Sequence, residues 1–306
     1  MRSVKAGRIV HAYLFQGGRG CGKRTLARRM AQALLCQAPQ QQRPCGECPA
    51  CKRFLAGTHP DVRTLAPTGR SIGVDEVREL IEYLSRCAYE GGWHVAIIEQ
   101  ADKMTASAQN ALLKTLESPP ENTVFFLLSQ APGAILPTIR SRARVVRVQP
   151  LSVERCAQAL VERGVAPQRA ARLAGLAHGA VGRALEIAAD EGYEALFAHV
   201  YDSLCALRGA GDIAAAASAL YEEKERQADI LEILETIGRD RMAVEWGTEP
   251  EALTREQALR VRTAGEAIVR GACQARQMLF ANVAWQNALD CLYLRLCGSL
   301  IDTGGT

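Results

Sequence analysis

The chain has 306 residues, 48% of them hydrophobic and only 5% aromatic, with 37 basic and 33 acidic side chains giving a formal charge of +4. That length accommodates two or three domains with a sizeable core, and the near balance of charge leaves no basic footprint for tight nucleic-acid binding by the chain alone. There is no signal-peptide pattern and no apolar run near the length of a membrane span, so the expectation is a soluble, cytoplasmic protein with no membrane contact.

Ten residues precede His11, too few for a helix and loop packed ahead of the first strand, so the adenine side of a nucleotide site is expected to have little cover. Ala12 to Phe15 reads as an apolar strand. It runs into a loop containing Gly17, Gly18, Gly20 and Gly22, which passes through Lys23 into a helix with apolar positions at Leu26, Met30, Ala33 and Leu34. These are the parts of a phosphate cradle: glycines let backbone N–H groups converge on an anion, the helix start adds its positive end, and the lysine reaches the outer phosphates. Gly17, Gly20, Gly22 and Lys23 are therefore candidate phosphate contacts, with a plain glycine turn as the other reading. One position departs from the pattern GxxxxGK[ST]. Arg24 stands where a hydroxyl would hold magnesium, and Thr25 follows one place late as a weak substitute, so ATP binding in cis stays open and unaided hydrolysis is not expected.

After this helix a polar, proline-broken stretch carries Cys36, Cys45, Cys48 and Cys51. Two C-x-x-C steps share Cys48, Cys36 can return as a fourth thiolate, and Gly46 sits where a metal knuckle turns; four soft ligands favour tetrahedral zinc. A disulfide or redox site and an iron-sulfur cluster are the alternatives. The cluster contains no His or carboxylate, so the zinc is expected to hold the fold and activate no water. The other seven of the eleven cysteines lie scattered among apolar or helical positions and read as reduced core residues.

The segment 57–67 reads as a loop leading into a short strand, and 73–89 as a helix with its stripe at Val74, Val77, Leu80, Ile81 and Leu84. Trp93 to Ile98 is a second apolar strand, ending at Glu99, Gln100 and Asp102. Hydrolytic phosphate-loop proteins place a magnesium acid at such a strand end, often followed by an acid that orients water. Glu99 is a weak candidate for the first role, neutral Gln100 cannot be the general base, and polar residues at a strand exit are the simpler reading. A helix over 106–117, closed by Pro119 and Pro120, precedes a strand over Thr123–Leu128. That strand finishes at Ser129, a weak candidate for sensing a phosphate. Arg140, Arg142 and Arg144 then lead into a strand at Val145–Val148. Such arginines are often solvent-facing, and are also suited to reaching another subunit's phosphate.

Strands alternating with helices put residues 1–150 in an α/β domain with a parallel sheet. From Leu151 the pattern is helical: stripes through Val153, Ala157 and Leu160, through Ala170, Leu173 and Ala174, and through Leu185, Ile187 and Ala188 suggest a small helical domain over 151–203. Amphipathic helices at 212–237 and 255–280 and an apolar one at Val283–Leu296 suggest a third domain over 204–306, with a disordered tail at 304–306.

In combination, HAYLFQG at 11–17, GRGCGK at 18–23, the cysteine module at 36–51, GTHPD at 57–61, NALLKTLESPPENTVFFLL at 110–128 and LPTIRSR at 136–142 resemble the clamp-loader subunits of bacterial DNA polymerase III. The resemblance implies an AAA+ phosphate-loop domain, a small helical lid and a C-terminal helical collar. It is closer to the delta-prime branch than to the ATP-hydrolysing gamma/tau branch, which has Thr in place of Arg24 and an Asp-Glu pair in place of Glu99 and Gln100. The family's second sensor arginine aligns with Gly182, and Arg183, one place later, does not inherit the role. What the resemblance retains is the Ser-Arg-Cys motif, here Ser141-Arg142-Ala143. It implies that Arg142 reaches ATP held by a neighbouring subunit, with Ser141 positioning it. The implied function is that of a stator in DNA replication, with degenerate Walker A and B motifs and no ATPase of its own. Its partners would be gamma/tau and delta subunits and, through the assembled hetero-oligomer, the beta sliding clamp and primed DNA. A divergent gamma/tau-like ATPase using Thr25, Glu99 and Asp102, and a structural adaptor outside replication, stand as alternatives.

Overall fold

In the computed structural model, residues 9–300 are described, apart from Cys87 and Gly91. The expectations about the short N-terminus and the 304–306 tail fall on residues outside that set. The chain divides after Pro150 into two units.

The first unit is built on five parallel strands, β1 (Ala12–Gln16), β2 (Val62–Leu65), β3 (His94–Ile98), β4 (Thr123–Ser129) and β5 (Arg144–Arg147), in the order β2-β3-β4-β1-β5. The central strands β3 and β4 are buried along their whole length, which is why they read as continuous apolar runs. The edge strand β5 is largely exposed and carries arginines at both ends, a charged edge that discourages further pairing.

Helices cover both faces. On one, α1 (Lys23–Leu35) and α2 (Pro49–Ala56) lay Met30, Ala31, Leu34 and Phe54 over Tyr13, Phe15, Val124 and Phe126. On the other, α3 (Val74–Ser85), α4 (Ala106–Glu117) and α5 (Pro137–Arg142) bring Val77, Leu80, Leu84, Leu112, Leu116 and Ile139 onto Leu14, Ile98, Phe125 and Leu127. The α4 bounds coincide with the expected 106–117, set by Thr105, which caps Ala108 N at 3.2 Å, and by the prolines that follow.

The second unit holds nine helices among the described residues: α6 (Val153–Val161), α7 (Pro167–Leu176), α8 (Val181–Ala189), α9 (Tyr193–Ala206), α10 (Ile213–Ser218), α11 (Gln227–Glu245), α12 (Arg255–Arg260), α13 (Gly265–Phe280) and α14 (Trp285–Cys297). One apolar core runs through it from Cys156 to Leu296, and α9 runs across position 203, where the sequence suggests a boundary.

Some expected helices differ. The stretch 212–237 is not one helix: Trp285 Nε1 donates to Leu220 O at 3.0 Å, a 3-10 turn occupies Tyr221–Arg226, and α11 continues to Glu245. The stretch 255–280 breaks at Val261, whose carbonyl accepts from Arg241 Nε at 3.0 Å, and Gly265 starts α13 against α11. A β-carbon on Gly265 would lie 2.4 Å from Gly238 O, so the glycine sets how closely these helices approach. On α8 the inward residues are Ala184 and Ile187, and Leu185 faces solvent.

Candidate functional site

The glycine loop leaves the C-terminal end of β1, the edge of a parallel sheet where ligands are commonly held. Gly17 N donates to Ser129 O at 3.3 Å, tying the ends of β1 and β4 together. A β-carbon on Gly17 would lie 2.2 Å from Val148 O, so only glycine fits there. Gly20 and Gly22 have φ of 73° and 92°, in the left-handed region that glycine enters without steric cost. Lys23, the first residue of α1, is only 8% exposed, and its Nζ donates to Gly17 O at 2.8 Å and Gly18 O at 2.6 Å. Burial pushes its pKa down, against the raising effect of Cys21 and Asp102. The loop is thus folded around its own lysine. An anion entering the loop would compete with two carbonyl oxygens for that ammonium.

The magnesium positions are filled differently. Arg24 Nε and Nη2 donate to Glu99 Oε1 and Oε2, each at 2.5 Å, a bidentate pair between α1 and the exit of β3. Magnesium demands octahedral oxygen ligands, and here position 24 supplies a cation while both Glu99 oxygens already accept from it. Asp102 Oδ1 accepts from Gln130 N at 2.8 Å, which ties this carboxylate to the end of β4. Gln100 is neutral and turns the chain with φ of 49°. Thr25 is exposed on α1. The residues present do not fit a magnesium ion. Ser129 is fully buried, and among the described residues its hydroxyl has no hydrogen-bond partner.

Arg142 ends α5. Its side chain is 37% exposed, with Nη2 2.8 Å from Glu117 Oε1 and Nη1 donating to Thr138 O at 3.2 Å. Ser141 Oγ donates to the same carbonyl at 2.9 Å and lies 3.4 Å from Arg142 Nη1. The residue after Arg142 is buried Ala143, which anchors the turn into β5. Arg140 and Arg144 are exposed.

Cys36, Cys45, Cys48 and Cys51 converge, with all four sulfurs within 4.8 Å of one another. The Cys36–Cys45, Cys36–Cys48 and Cys45–Cys51 separations are 3.5, 3.9 and 4.0 Å. Four thiolates about 2.3 Å from a tetrahedral zinc would sit about 3.8 Å apart. Backbone N–H groups of Cys45, Cys48 and Cys51 each point to a sulfur at 3.4 Å, as expected around thiolates. At Cys48 burial acts upward, but the donors from Cys51 and Gln37 outweigh it and bring the thiol to about 6. The donor set fits zinc. Gly46, with φ of 82°, makes the turn between the second and third ligands.

In the second unit Gly182 leaves no side chain at the expected sensor position, and Arg183 is committed elsewhere. It is 5% exposed and pairs with Asp229 at 2.7 Å and Glu232 at 3.0 Å, with its guanidinium over the Tyr193 ring.

Two features were not legible in the sequence. The partners of Arg24 and Arg142 lie 75 and 25 positions away, and only the misplaced charge at position 24 hinted at the first. The second is the role of His59 and Asp61 in GTHPD. Asp61 is buried, accepts from Tyr89 N at 2.6 Å and Glu90 N at 3.1 Å, and lies 3.4 Å from His94 Nε2. His59 Nδ1 accepts from Asp61 N at 3.2 Å. Together they anchor the segment before β3 to the start of β2, a structural task with no local pattern.

A family profile described as DNA polymerase III, delta subunit, matches residues 1–152. The chain is 30% identical to DNA polymerase III subunit delta′ of Bacillus subtilis over 307 aligned positions, covering 96% of this chain and 93% of that protein. It is 48% identical to the subunit delta′ of Pseudomonas aeruginosa over 134 positions, which span 43% of this chain and 41% of that protein. With the Escherichia coli subunit delta′ the identity is 41% over 197 positions, 63% of this chain and 59% of that one.

Proposed function

The chain belongs to the delta′ family of bacterial DNA polymerase III subunits, within the AAA+ clamp-loader group, and on that premise we propose that it acts as a stator in a cytoplasmic clamp loader. In this reading its partners are gamma/tau and delta subunits, and the assembled hetero-oligomer loads the beta sliding clamp onto primed DNA. Residues 151–203 would form the lid and 204–306 the collar. Among the described residues no helix is long and apolar enough to cross a membrane.

The observation that carries this reading is a contrast between two arginines. Arg24 is tied to Glu99 within the chain's own loop, where it displaces the machinery of hydrolysis. Arg142 is exposed, and its contacts among the described residues are a surface carboxylate, a carbonyl and the neighbouring Ser141 hydroxyl. An exposed pair of this kind is worth about 0–1 kcal/mol, so Arg142 is easily released to a stronger anion. A neighbour's triphosphate is such an anion, and an arginine supplied in trans stabilises the charge that builds up during phosphoryl transfer. Ser141 fixes the last turn of α5 through Thr138 O and so steadies the arginine. Cys36, Cys45, Cys48 and Cys51 would hold zinc, which supplies a structural cross-link and takes no part in the reaction.

The test is ATP hydrolysis by the complex reconstituted with gamma/tau and delta subunits, with clamp and primed DNA present. Arg142→Ala is expected to lower turnover by about 10³-fold or more at the one site it serves, with assembly unchanged. Unchanged turnover would remove Arg142 from the neighbour's site. ATP hydrolysis by the isolated chain that depends on Lys23 would overturn the stator reading.

A further inference from the structure

We propose that the Arg24–Glu99 pair takes the place of the divalent cation in the glycine loop, so that any polyphosphate the loop accepts is bound without magnesium. The inference rests on the loop being a phosphate site and is independent of Arg142.

A magnesium-binding phosphate loop draws on two places, the residue after the lysine and the carboxylate at a neighbouring strand end. In this chain the same two places are in direct contact, but one of them carries a fixed positive charge. Arg24 Nε and Nη2 take both oxygens of Glu99 in the planar two-bond geometry that guanidinium and carboxylate prefer. Glu99 is 14% exposed and Arg24 66%, so the acid is sheltered while its partner remains at the surface of the loop. A guanidinium stays protonated at every working pH and has donors to spare for a phosphate oxygen. It therefore offers a charge and hydrogen bonds at the place where a metal would offer charge and coordination.

Displacing it would not be easy for magnesium. The ion would have to break two charge-assisted bonds, lose its own tightly held water and find oxygen ligands. Of the other nearby candidates, Asp102 already uses Oδ1 to accept from Gln130 N, and position 100 is a neutral amide. Lys23 and Arg24 also follow one another at the start of α1, so two cations stand where the usual motif has a cation and a metal. The buried Ser129 hydroxyl, without a partner among the described residues, belongs to the residue whose carbonyl holds Gly17 N.

The experiment is calorimetric titration of the full chain with ATP, and separately with inorganic tripolyphosphate, in excess magnesium and in EDTA. For the intact protein the two conditions should agree within about twofold, or both should give no binding. Arg24→Thr frees Glu99 and restores the hydroxyl, and is expected to bind ATP at least about tenfold more tightly with magnesium than with EDTA. Glu99→Gln breaks the pair without leaving a carboxylate and should stay indifferent to the metal. Arg24→Ser repeats the test if Arg24→Thr does not fold. A tenfold preference of the intact protein for magnesium would overturn the proposal, as would a folded Arg24→Thr that remains indifferent. If neither the intact chain nor Arg24→Thr binds either ligand, the loop is not a phosphate site and the proposal falls, leaving the assignment of Arg142 to the assembled complex.

Discussion

Gly22 and Gly179 both have left-handed backbone, with φ of 92° and 77°, yet replacing them has different consequences. A β-carbon on Gly22 meets nothing within 4 Å, so Gly22→Ala carries only the backbone cost of about 1–2 kcal/mol. At Gly179 the same carbon would lie 1.8 Å from Leu151 O, which itself adjoins the Leu151 N bond to Gly179 O. Gly179→Ala adds a steric clash of about 1–3 kcal/mol and is expected to lower the urea midpoint of the second unit well beyond what Gly22→Ala does to the first. Equal midpoint shifts would remove the close approach from the account. A single atom's space, more than the sign of φ, separates these two glycines.

Between elements, buried charge links α8 to α11. Arg183 on α8 holds Asp229 and Glu232 on α11, and Arg226, just before α11, pairs with Asp190 at the end of α8. Removing the buried cation takes away the charge that Glu232 and Asp229 both hold, although Arg226 still lies 3.5 Å from Asp229. Arg183→Ala is therefore expected to cost about 3–5 kcal/mol, read from chemical denaturation of the full chain, whereas Arg172→Ala, which removes an exposed pair with Glu194, should cost about 1 kcal/mol or less. The turn before α8 adds a pH-sensitive link. His178 Nδ1 lies 2.8 Å from Glu251 Oε2 and its Nε2 lies 3.0 Å from Thr236 Oγ1. The hydrogen bond from His178 holds the Glu251 carboxyl below its ordinary 4.5. A carboxyl depressed in the folded state stabilises above its unfolded value, and that contribution is lost as pH falls through the lower folded value. The second unit is expected to weaken in acid, and Glu251→Gln to flatten that part of the profile. A profile unchanged by the substitution would show that the pair contributes nothing to folding.

For the molecule as a whole, the cysteine module is a cluster capable of holding a metal ion. Its four sulfurs lie between α1, the loop at 37–48 and α2, so removing a bound zinc would release the start of α2 from the end of α1. The protein as isolated is expected to hold one zinc per chain. Chelation should raise hydrogen exchange over 36–56 and leave 151–300 unchanged, because the second unit has its own apolar core. Exchange that stays protected after chelation would make the metal dispensable for the fold.

Local pattern accounts for much of this architecture. The buried strands β3 and β4 are short continuous apolar runs, α4 is bounded by its own cap and prolines, and the spacing of the four cysteines foretells that their sulfurs converge. Each of these is settled by residues within a few turns of one another, where periodicity and chain geometry act. The interruption at Val261 had no such signal, since neither proline nor glycine occupies 261–264 and the carbonyl there is taken by Arg241 on another helix. Position 24 is the sharpest case. The sequence by itself determined that a glycine loop carries an arginine where the phosphate-loop pattern calls for a hydroxyl. Only the tertiary structure decided that this arginine is bound to Glu99, because a charge finds its partner through space and the sheet order brings together residues 75 positions apart.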